Sequence, residues 1–194
     1  MIRLDGQRCI CKTFQLSDAA ILAQLVRDNK DYWGRFEPVH RDSYYTAIIQ
    51  REKIRETLKL MKEQREYSFG IYTKDTFKLV GTISLYSIKR MPFLSGMIGY
   101  AIDQQEIGKG YAQEAIQLVS EFAFSQVQLN RVEAYVSPYN EPSVHLLKKT
   151  GFYEEGYLNQ LLYINGNWMD HLLFAQTKTD FQARHYAKQK DSST

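Results

Sequence analysis

The sequence has 194 residues, of which 44% are hydrophobic and 24% charged. These proportions are those of an ordinary folded domain, and they exclude intrinsic disorder, collagen and a coiled coil as descriptions of the whole chain. The length fits one domain over 1–194, for which we expect a core over about 8–178 and a polar tail over 179–194. The net charge of +3 permits an anionic ligand but is too small to indicate nucleic acid.

The N-terminus and the cysteines predict the compartment. Residues 1–12 lack the apolar core of a signal peptide, and no apolar run approaches the roughly 20 residues that span a bilayer. Cys9 and Cys11 would share one face of a strand and give no disulfide framework. We therefore expect a cytoplasmic protein with reduced cysteines and no membrane partner.

Hydrophobic periodicity predicts the elements of the first half in chain order. A strand over 8–14 is followed by a helix from an N-cap at Ser17 to about Asn29. An aromatic loop over 32–38 precedes a long amphipathic helix over about 43–66. Two strands follow over 67–73 and 78–87, joined by a hairpin turn at 74–77.

The second half continues the alternation. The segment 96–103 is nearly all apolar and predicts a strand buried on both faces, followed by a helix over about 111–127. A strand over 131–137 and a helix over about 142–150 come next, with Pro142 in the first turn and Gly151 at the end. Strands near 152–158 and 171–177 and a frayed helix from 178 complete an α/β domain.

Two glycines between a buried strand and a helix carry the strongest chemical signal. Gly108 and Gly110 have no Cβ, so several backbone N–H groups can converge there on an anion, and the helix N-terminus adds about half a positive charge. A phosphate or pyrophosphate is the expected ligand, and an ordinary tight turn is the alternative. Gln113 replaces the third glycine of a dinucleotide fingerprint, and no Gly-Lys-Ser/Thr occurs, so neither of those phosphate motifs is present.

The segment Gln105-x-x-Gly108-x-Gly110-Tyr111-Ala112 resembles the acetyl-CoA pyrophosphate loop of the GNAT superfamily of N-acetyltransferases. Further segments resemble the branch that acetylates the N-termini of ribosomal proteins: NRVEA at 130–134, NEPS at 140–143, KTGF at 149–152 and YING at 163–166. The resemblance implies a mixed, mostly antiparallel sheet of about six or seven strands. That sheet splays between its fourth and fifth strands and has helices on both faces.

The resemblance also implies the cofactor site. Acetyl-CoA would be the co-substrate, with no metal, and its pantetheine would run along the backbone near Ile102. The pyrophosphate would be held by backbone N–H groups of the loop, namely those of Gln105, Ile107, Gly108, Lys109, Gly110, Tyr111 and Ala112. Lys109 either adds a point charge or is a solvated lysine. Asn140 would contact the cofactor arm, cap the following helix, or do both.

The implied chemistry is direct attack of a neutral amine on a thioester. An α-amino group has a pKa of about 7.7–8 and a lysine about 10.4, so an N-terminal amine needs only a weak base. Ser143 matches the serine that serves the departing thiolate in the ribosomal-protein branch, and Tyr139 is its nearest rival. A serine hydroxyl is a poor acid, so hydrogen-bond donation to sulfur is its safer role.

The general base is where the match fails, because the branch's catalytic glutamate falls on Leu162. The remaining candidates are Glu37, Glu106, Glu155 and Asp170, or a water that relays the proton to a carboxylate.

The aromatic loop is the variable acceptor wall in the family, which makes Tyr32, Trp33, Phe36 and Glu37 the expected substrate-binding residues; packing is their alternative role. We expect acetylation of a protein or peptide N-terminus, such as that of a ribosomal protein. A small-molecule amine acceptor (polyamine, antibiotic or peptide toxin) and a non-catalytic acyl-CoA-binding module stay open, as does a homodimer.

Overall fold

The computed structural model describes the backbone of residues 1–191 and the side chains through Arg184. One sheet of eight strands runs through it in the order β1-β2-β3-β4-β5-β6-β8-β7. The strands are β1 Arg3–Asp5, β2 Cys9–Thr13, β3 Tyr67–Thr73, β4 Leu79–Lys89, β5 Ser95–Ile102, β6 Arg131–Val136, β7 Tyr153–Ile164 and β8 Asn167–Thr177. The helices are α1 Ala19–Asp28, α2 Lys30–Trp33, α3 Ala47–Lys62, α4 Tyr111–Ser125, α5 Glu141–Thr150 and α6 Lys178–Asp191. The last three residues of the expected polar tail, and the side chains of residues 185–194, lie outside the described part.

Two apolar layers hold helices on both faces of the sheet. In the larger layer, α4 packs Ala115, Ile116 and Val119 against strand residues such as Phe69 and Ile83, all of them fully buried. In the smaller layer, Leu22 and Leu25 of α1 and Ile54 of α3 cover the opposite face. No helix of the described chain is long and apolar enough to cross a membrane.

The sheet splits where the pairing of β5 with β6, the one parallel pair among the described strands, ends. β5 and β6 pair through just three positions, from Ser95 opposite Arg131 to Met97 opposite Glu133, and then diverge. Every other neighbouring pair is antiparallel. The predicted splay is therefore confirmed, although it lies between the fifth and sixth strands because a short first strand precedes the predicted ones.

The expectation of six or seven strands was too low. The missing strand, β1, has only three residues, two of them exposed, so no apolar pattern marks it. It pairs with β2 through Leu4 and Cys11, and the turn that joins the two strands is held by a carboxylate far along the chain. Glu114 of α4 accepts hydrogen bonds from the backbone N–H groups of Gln7, Arg8 and Cys9, at 2.8, 2.8 and 2.7 Å.

Two predicted helix starts were wrong because side chains cap the backbone elsewhere. Ser17 lies inside a short 3-10 turn over Leu16–Asp18, where the backbone N–H of Gln15 donates to Asp18 Oδ2 at 2.8 Å. The helix expected from residue 43 begins at Ala47, after a second 3-10 turn over Asp42–Tyr45. Thr46 between them is extended and caps α3, which ends at Lys62 rather than at residue 66.

The last two strands are longer than their apolar patterns predict. β7 and β8 form a hairpin that continues to a turn at Asn165 and Gly166, whose φ values are +50° and +90°. A register shift between Leu158 and Leu162 interrupts the alternation, and Leu162, Tyr163 and Trp168 beyond it are exposed. The hairpin tip is thereby carried toward the aromatic loop between α2 and α3.

Candidate active site

A cavity of about 400 Å³, here called the split cavity, opens where β5 leaves β6. Its walls come from β5, from the loop that leads into α4 and from the start of α5. Ile107, Gly108, Gly110, Tyr111 and Ala112 all line it, whereas the side chains of Gln105 and Lys109 do not.

The loop at the mouth of the split cavity has the backbone geometry of an anion cradle. Gly108 and Gly110 have φ values of +80° and +86°, a region that residues with a Cβ rarely adopt. A Cβ at Gly108 would meet no protein atom within 4 Å, so the space in front of this backbone is open. Because α4 starts directly afterwards at Tyr111, its N-terminal N–H groups point into the same space.

Lys109 is tied to a carboxylate within the loop. Its Nζ lies 2.6 Å from Glu106 Oε2, and Lys78 Nζ lies 2.7 Å from Glu106 Oε1. These hydrogen bonds from Lys109 and Lys78 hold the pKa of the Glu106 carboxyl below its usual range. Two lysines and one glutamate leave this side of the loop with one net positive charge, which suits an anionic ligand.

The free edge of β5 presents backbone groups to the split cavity. Asp103 donates its N–H to Val80 of β4 at 2.8 Å, and alternate residues of an antiparallel strand face opposite neighbours. Tyr100 and Ile102 therefore direct their backbone groups toward the gap. The Ile102 carbonyl already accepts the indole N–H of Trp33 at 2.9 Å, which fixes the aromatic loop to this edge.

The start of α5 brings Ser143 to a tyrosine that the sequence pattern did not single out. Asn140 caps α5 by accepting the Ser143 N–H through Oδ1 at 3.3 Å. The Ser143 hydroxyl lies 2.6 Å from the hydroxyl of Tyr100, and burial raises the pKa of Tyr100 to about 12, so this phenol stays protonated at neutral pH. Tyr139 is 76% exposed and lines neither cavity described here.

A second cavity of about 420 Å³, the α3-side cavity, lies on the other face of the same strands, beneath α1 and α3. Small residues that lie opposite one another on neighbouring strands leave space at the base of this cavity. Ser68 of β3, Ser84 of β4 and Gly99 of β5 lie side by side, and Thr82 pairs with Ala101 in the next row. The Ser68 hydroxyl lies 2.9 Å from that of Ser84 and donates to Glu66 Oε1 at 2.8 Å.

The two cavities meet at four residues that line both, namely Trp33, Glu37, Tyr100 and Ala101. Tyr32 and Phe36 line the split cavity only. Two of the four predicted acceptor-wall residues therefore lie at the junction, and the other two face the cavity that holds the glycine loop.

The aromatic loop is held in place from the far end of the chain. The Val39 N–H donates to Asn165 Oδ1 at 2.8 Å, and Asn165 Nδ2 donates to the Gly34 carbonyl at 3.1 Å. The tip of the β7–β8 hairpin thus spans both ends of the segment that carries Glu37. Asn165 is tolerated at a φ of +50° because asparagine is one of the few residues that adopt this conformation readily.

The four carboxylates considered as bases have different surroundings. Glu106 is paired with two lysines, and Glu155 with Arg131, at 3.0 and 2.5 Å. Asp170 accepts the Gln160 N–H at 2.7 Å and the Tyr157 hydroxyl at 2.8 Å. The Glu37 side chain makes no hydrogen bond or ion pair with any group in the described part of the chain, although its backbone N–H donates to the Trp33 carbonyl at 3.1 Å.

Glu37 differs from the other three in its pKa as well. The residue is exposed to the open cavities, yet their walls displace bulk water from its carboxyl. This desolvation raises the pKa of Glu37, against a smaller lowering by Lys53. Hydrogen bonds instead lower the pKa values of Glu106, Glu155 and Asp170.

Tyr100, Asn165 and Glu66 were missed by the sequence analysis. The alternation of small and large residues at Gly99, Tyr100 and Ala101 was the available signal, because small residues on one face of a central strand leave room for a ligand. Nothing local marks Asn165, whose partners Gly34 and Val39 lie far away along the chain. The partner of Glu66, Ser68, is close in sequence, but only the fold places Glu66 on a cavity wall.

The fold, the split strand pair and the glycine loop define an acyltransferase of one family. The model of the "Acetyltransferase (GNAT) domain" matches residues 8–153, and the chain belongs to this family. It is an N-acetyltransferase, and GNAT enzymes take their acetyl group from acetyl-CoA, which confirms the expected co-substrate at the level of the family. The described loop fits that ligand, since an open glycine cradle faces a helix N-terminus and a net positive charge.

Relatives with similar chains support this assignment. A probable N-acetyltransferase of Bacillus subtilis (strain 168), YjcK, is 36% identical over 91% of this chain and 98% of its own. The ribosomal-protein-S5-alanine acetyltransferase of Vibrio fischeri superposes with a TM-score of 0.87 at 28% identity, over 93% of this chain and 99% of its own. Mycobacterium smegmatis RimJ, in complex with CoA-disulfide, gives 0.84 at 27% identity over 89% and 83%.

Proposed function

We propose that the protein transfers the acetyl group of acetyl-CoA to the α-amine of a protein or peptide N-terminus. The observation that carries this proposal is the meeting of two cavities at β5. One contains the glycine loop and the other is open to a second ligand, and Trp33, Glu37, Tyr100 and Ala101 line both. A donor and an acceptor bound on either side of β5 would come together there.

The chain's own groups would orient the donor. N–H groups of the loop from Ile107 to Ala112 would bind the pyrophosphate, since those of Gln105 and Glu106 already donate to Asp103 at 3.1 and 2.8 Å. The backbone edge at Tyr100 and Ile102 would bind the pantetheine. Acetyl-CoA supplies the activated thioester. Ser143 would donate its hydroxyl proton in a hydrogen bond to the sulfur, while Tyr100 donates to Ser143 Oγ at the observed 2.6 Å. Asn140 would hold Ser143 by capping α5.

A protein N-terminus is the proposed acceptor because the similar chains include ribosomal-protein-alanine acetyltransferases. An α-amine also suits this site chemically, since roughly a tenth or more of it is neutral at pH 7 against well under a hundredth of a lysine. The two buried, unbridged cysteines, Cys9 and Cys11, support action in the reducing cytoplasm. We take the whole chain as one acetyltransferase domain.

Isothermal titration with acetyl-CoA tests the loop assignment. Gly108→Val should weaken binding about tenfold or more, because a β-branched residue at a φ of +80° costs about 1–2 kcal/mol and its side chain fills the anion space. Gly166→Val is the matched control. It meets the same strain at a φ of +90° in the hairpin turn, also with open space around it.

Equal affinities of wild type and Gly108→Val would reject the assignment of the loop. An equal loss of affinity in both valine variants would show that backbone strain, rather than the cradle, is responsible.

A further inference from the structure

We propose that Glu37 is the general base that takes the proton from the acceptor's ammonium group; this inference rests on the proposed function. It concerns the one step for which the sequence offers no match, since Leu162 occupies the position of the family branch's glutamate. Leu162 is itself 42% exposed on the hairpin and lines neither cavity.

Position favours Glu37 over the other carboxylates. It is the only acidic residue among those that line both cavities, so it stands where the amine must meet the thioester. Glu106 lines the split cavity but is held by two lysines, and Glu66 lines only the α3-side cavity and accepts from Ser68. Glu155 and Asp170 line neither cavity.

The backbone around Glu37 is fixed, as a general base requires. Its N–H donates to the Trp33 carbonyl at 3.1 Å, and the Trp33 indole is bonded to Ile102 of β5 at 2.9 Å. On the other side, Asn165 holds Gly34 and Val39. The backbone that carries Glu37 is thus held by four hydrogen bonds, while the carboxylate oxygens have no partner in the described structure and are available to an ammonium group.

The proton transfer balances within the site. The ammonium group of the acceptor gives one proton to a Glu37 oxygen, leaving a neutral amine with its lone pair and a neutral carboxylic acid. The amine then forms the new C–N bond at the thioester carbonyl, the C–S bond breaks, and the second proton lost by the amine nitrogen goes to the departing thiolate to give the free CoA thiol. The Glu37 acid returns its own proton to solvent through the open cavity. A carboxyl whose pKa is raised toward that of the amine makes this transfer less unfavourable.

Charged and titratable groups from the neighbouring elements line the two cavities around this carboxyl. In the α3-side cavity they are Lys30 of α2, His40 of the same loop, Tyr44 and Tyr45 of the second 3-10 turn, Lys53 of α3, Glu66 before β3, Tyr86 of β4 and Tyr100 of β5. In the split cavity they are Tyr32, Glu106, Tyr111, His145 and Lys149. Lys30 is paired with Asp42 at 2.9 Å, and Lys53 donates to the Tyr44 hydroxyl at 2.6 Å. Lys53 lowers the pKa of Glu37, but desolvation outweighs it.

The test compares Glu37→Gln with wild type across pH, using acetyl-CoA and a peptide with a free α-amine. At pH 7 the variant should lose about 100-fold or more in kcat, the usual contribution of a general base. The deficit should shrink about six- to tenfold by pH 9, because the neutral fraction of an α-amine rises by about that factor between pH 7 and pH 9. In wild type, activity should fall as the pH drops through the raised pKa of Glu37.

Three controls keep the outcome unambiguous. The affinity for acetyl-CoA, measured by titration, should be unchanged in Glu37→Gln, and Glu63→Gln, an exposed residue beside Arg65, should behave as wild type. Glu66→Gln tests the alternative carboxylate of the α3-side cavity. A pH-independent deficit in Glu37→Gln, no deficit at all, or a larger pH-dependent deficit in Glu66→Gln would overturn the inference. An inactive wild type would instead reject the proposed function.

Discussion

At the residue scale, two hydroxyls bridge the split in the sheet. Ser143 comes from the first turn of α5 and Tyr100 from β5, and their oxygens lie 2.6 Å apart. Either hydroxyl can donate in this pair. Because burial raises the pKa of Tyr100 to about 12, the phenol keeps its proton at neutral pH and can donate it to Ser143 Oγ. In that arrangement the Ser143 proton is free to point into the split cavity.

A double-mutant cycle tests this pair. Ser143→Ala and Tyr100→Phe should each lower kcat about tenfold, because each removes one hydroxyl from the same chain of donors. The double variant should be little worse than either single one, since interacting residues are not additive. Binding of acetyl-CoA should change by less than about twofold in all three.

The exposed Tyr153 provides a matched control, and Tyr153→Phe should leave kcat unchanged. An unchanged kcat in Ser143→Ala, together with a loss in Tyr139→Phe, would transfer the role from Ser143 to Tyr139.

Ser143 was predicted from the sequence because the NEPS segment is contiguous and lies at a helix start. The role of Tyr100 was not predicted, because its partner Ser143 lies in α5 and reaches Tyr100 only where β5 has separated from β6. The same reason separates Glu37 from its rivals. All four carboxylates were visible in the sequence, but the ion pairs that occupy Glu106 and Glu155 depend on contacts between distant segments.

At the element scale, the tip of the β7–β8 hairpin fixes the loop between α2 and α3. The side-chain amide of Asn165 accepts the N–H of Val39 and donates to the carbonyl of Gly34, the two residues that flank the segment with Glu37. We call this contact the Asn165 clamp. Local sequence patterns cannot predict it, because Asn165 and its partners are more than 120 positions apart in the chain. The glycine loop, in contrast, was predicted well because its conformation depends on its own two glycines and on the helix that follows.

Asn165→Gly should raise the KM for the peptide acceptor several-fold. It removes two hydrogen bonds, each worth about 0.5–1.5 kcal/mol, and keeps the backbone conformation accessible at a φ of +50°. The Trp33–Ile102 hydrogen bond remains, so the affinity for acetyl-CoA should stay within about twofold. Steady-state kinetics with both substrates provide the measurement.

Asn167→Gly is the control for that change. It lies in the same hairpin, and its amide makes only a 3.5 Å contact to the Asn165 carbonyl. Equal KM values for the peptide in wild type and Asn165→Gly would contradict the clamp.

At the scale of the whole molecule, Glu114 joins the N-terminal hairpin to the helix that begins at the glycine loop. Burial alone would raise the pKa of Glu114, but three backbone hydrogen bonds lower it overall. The folded protein therefore binds this proton less readily than the unfolded chain does. The stabilisation is present above the unfolded pKa of about 4.5 and is lost as the pH falls through the lower, folded value.

Glu114→Gln should lower the free energy of unfolding by about 1–2 kcal/mol at pH 7, because hydrogen bonds to a charged acceptor are the stronger ones. The difference from wild type should narrow as the pH falls below 4.5. Urea unfolding at pH 7 and at acid pH measures it, with the exposed Glu121→Gln on the same helix as control. A constant difference at both pH values would show that charge is not the cause.

The order of apolar patterns predicted an α/β domain, and the resemblance of the glycine loop and the later segments to one family implied its split sheet. The first strand was not predicted, since its three residues are mostly polar and the turn after them is held by Glu114, more than a hundred positions away. The α3-side cavity was also invisible, because Ser68, Ser84 and Gly99 become neighbours only through strand register.

The most direct test of the account is mass spectrometry of peptides incubated with the protein and acetyl-CoA. The peptides should carry a free α-amine and an internal lysine, alongside a panel of polyamines and amine antibiotics. We expect one acetyl group on the peptide α-amine, with equimolar release of the CoA thiol. Thiol release with acetylation confined to small amines would contradict the proposed acceptor, and acetyl-CoA binding without any acetylated product would contradict the proposed transfer.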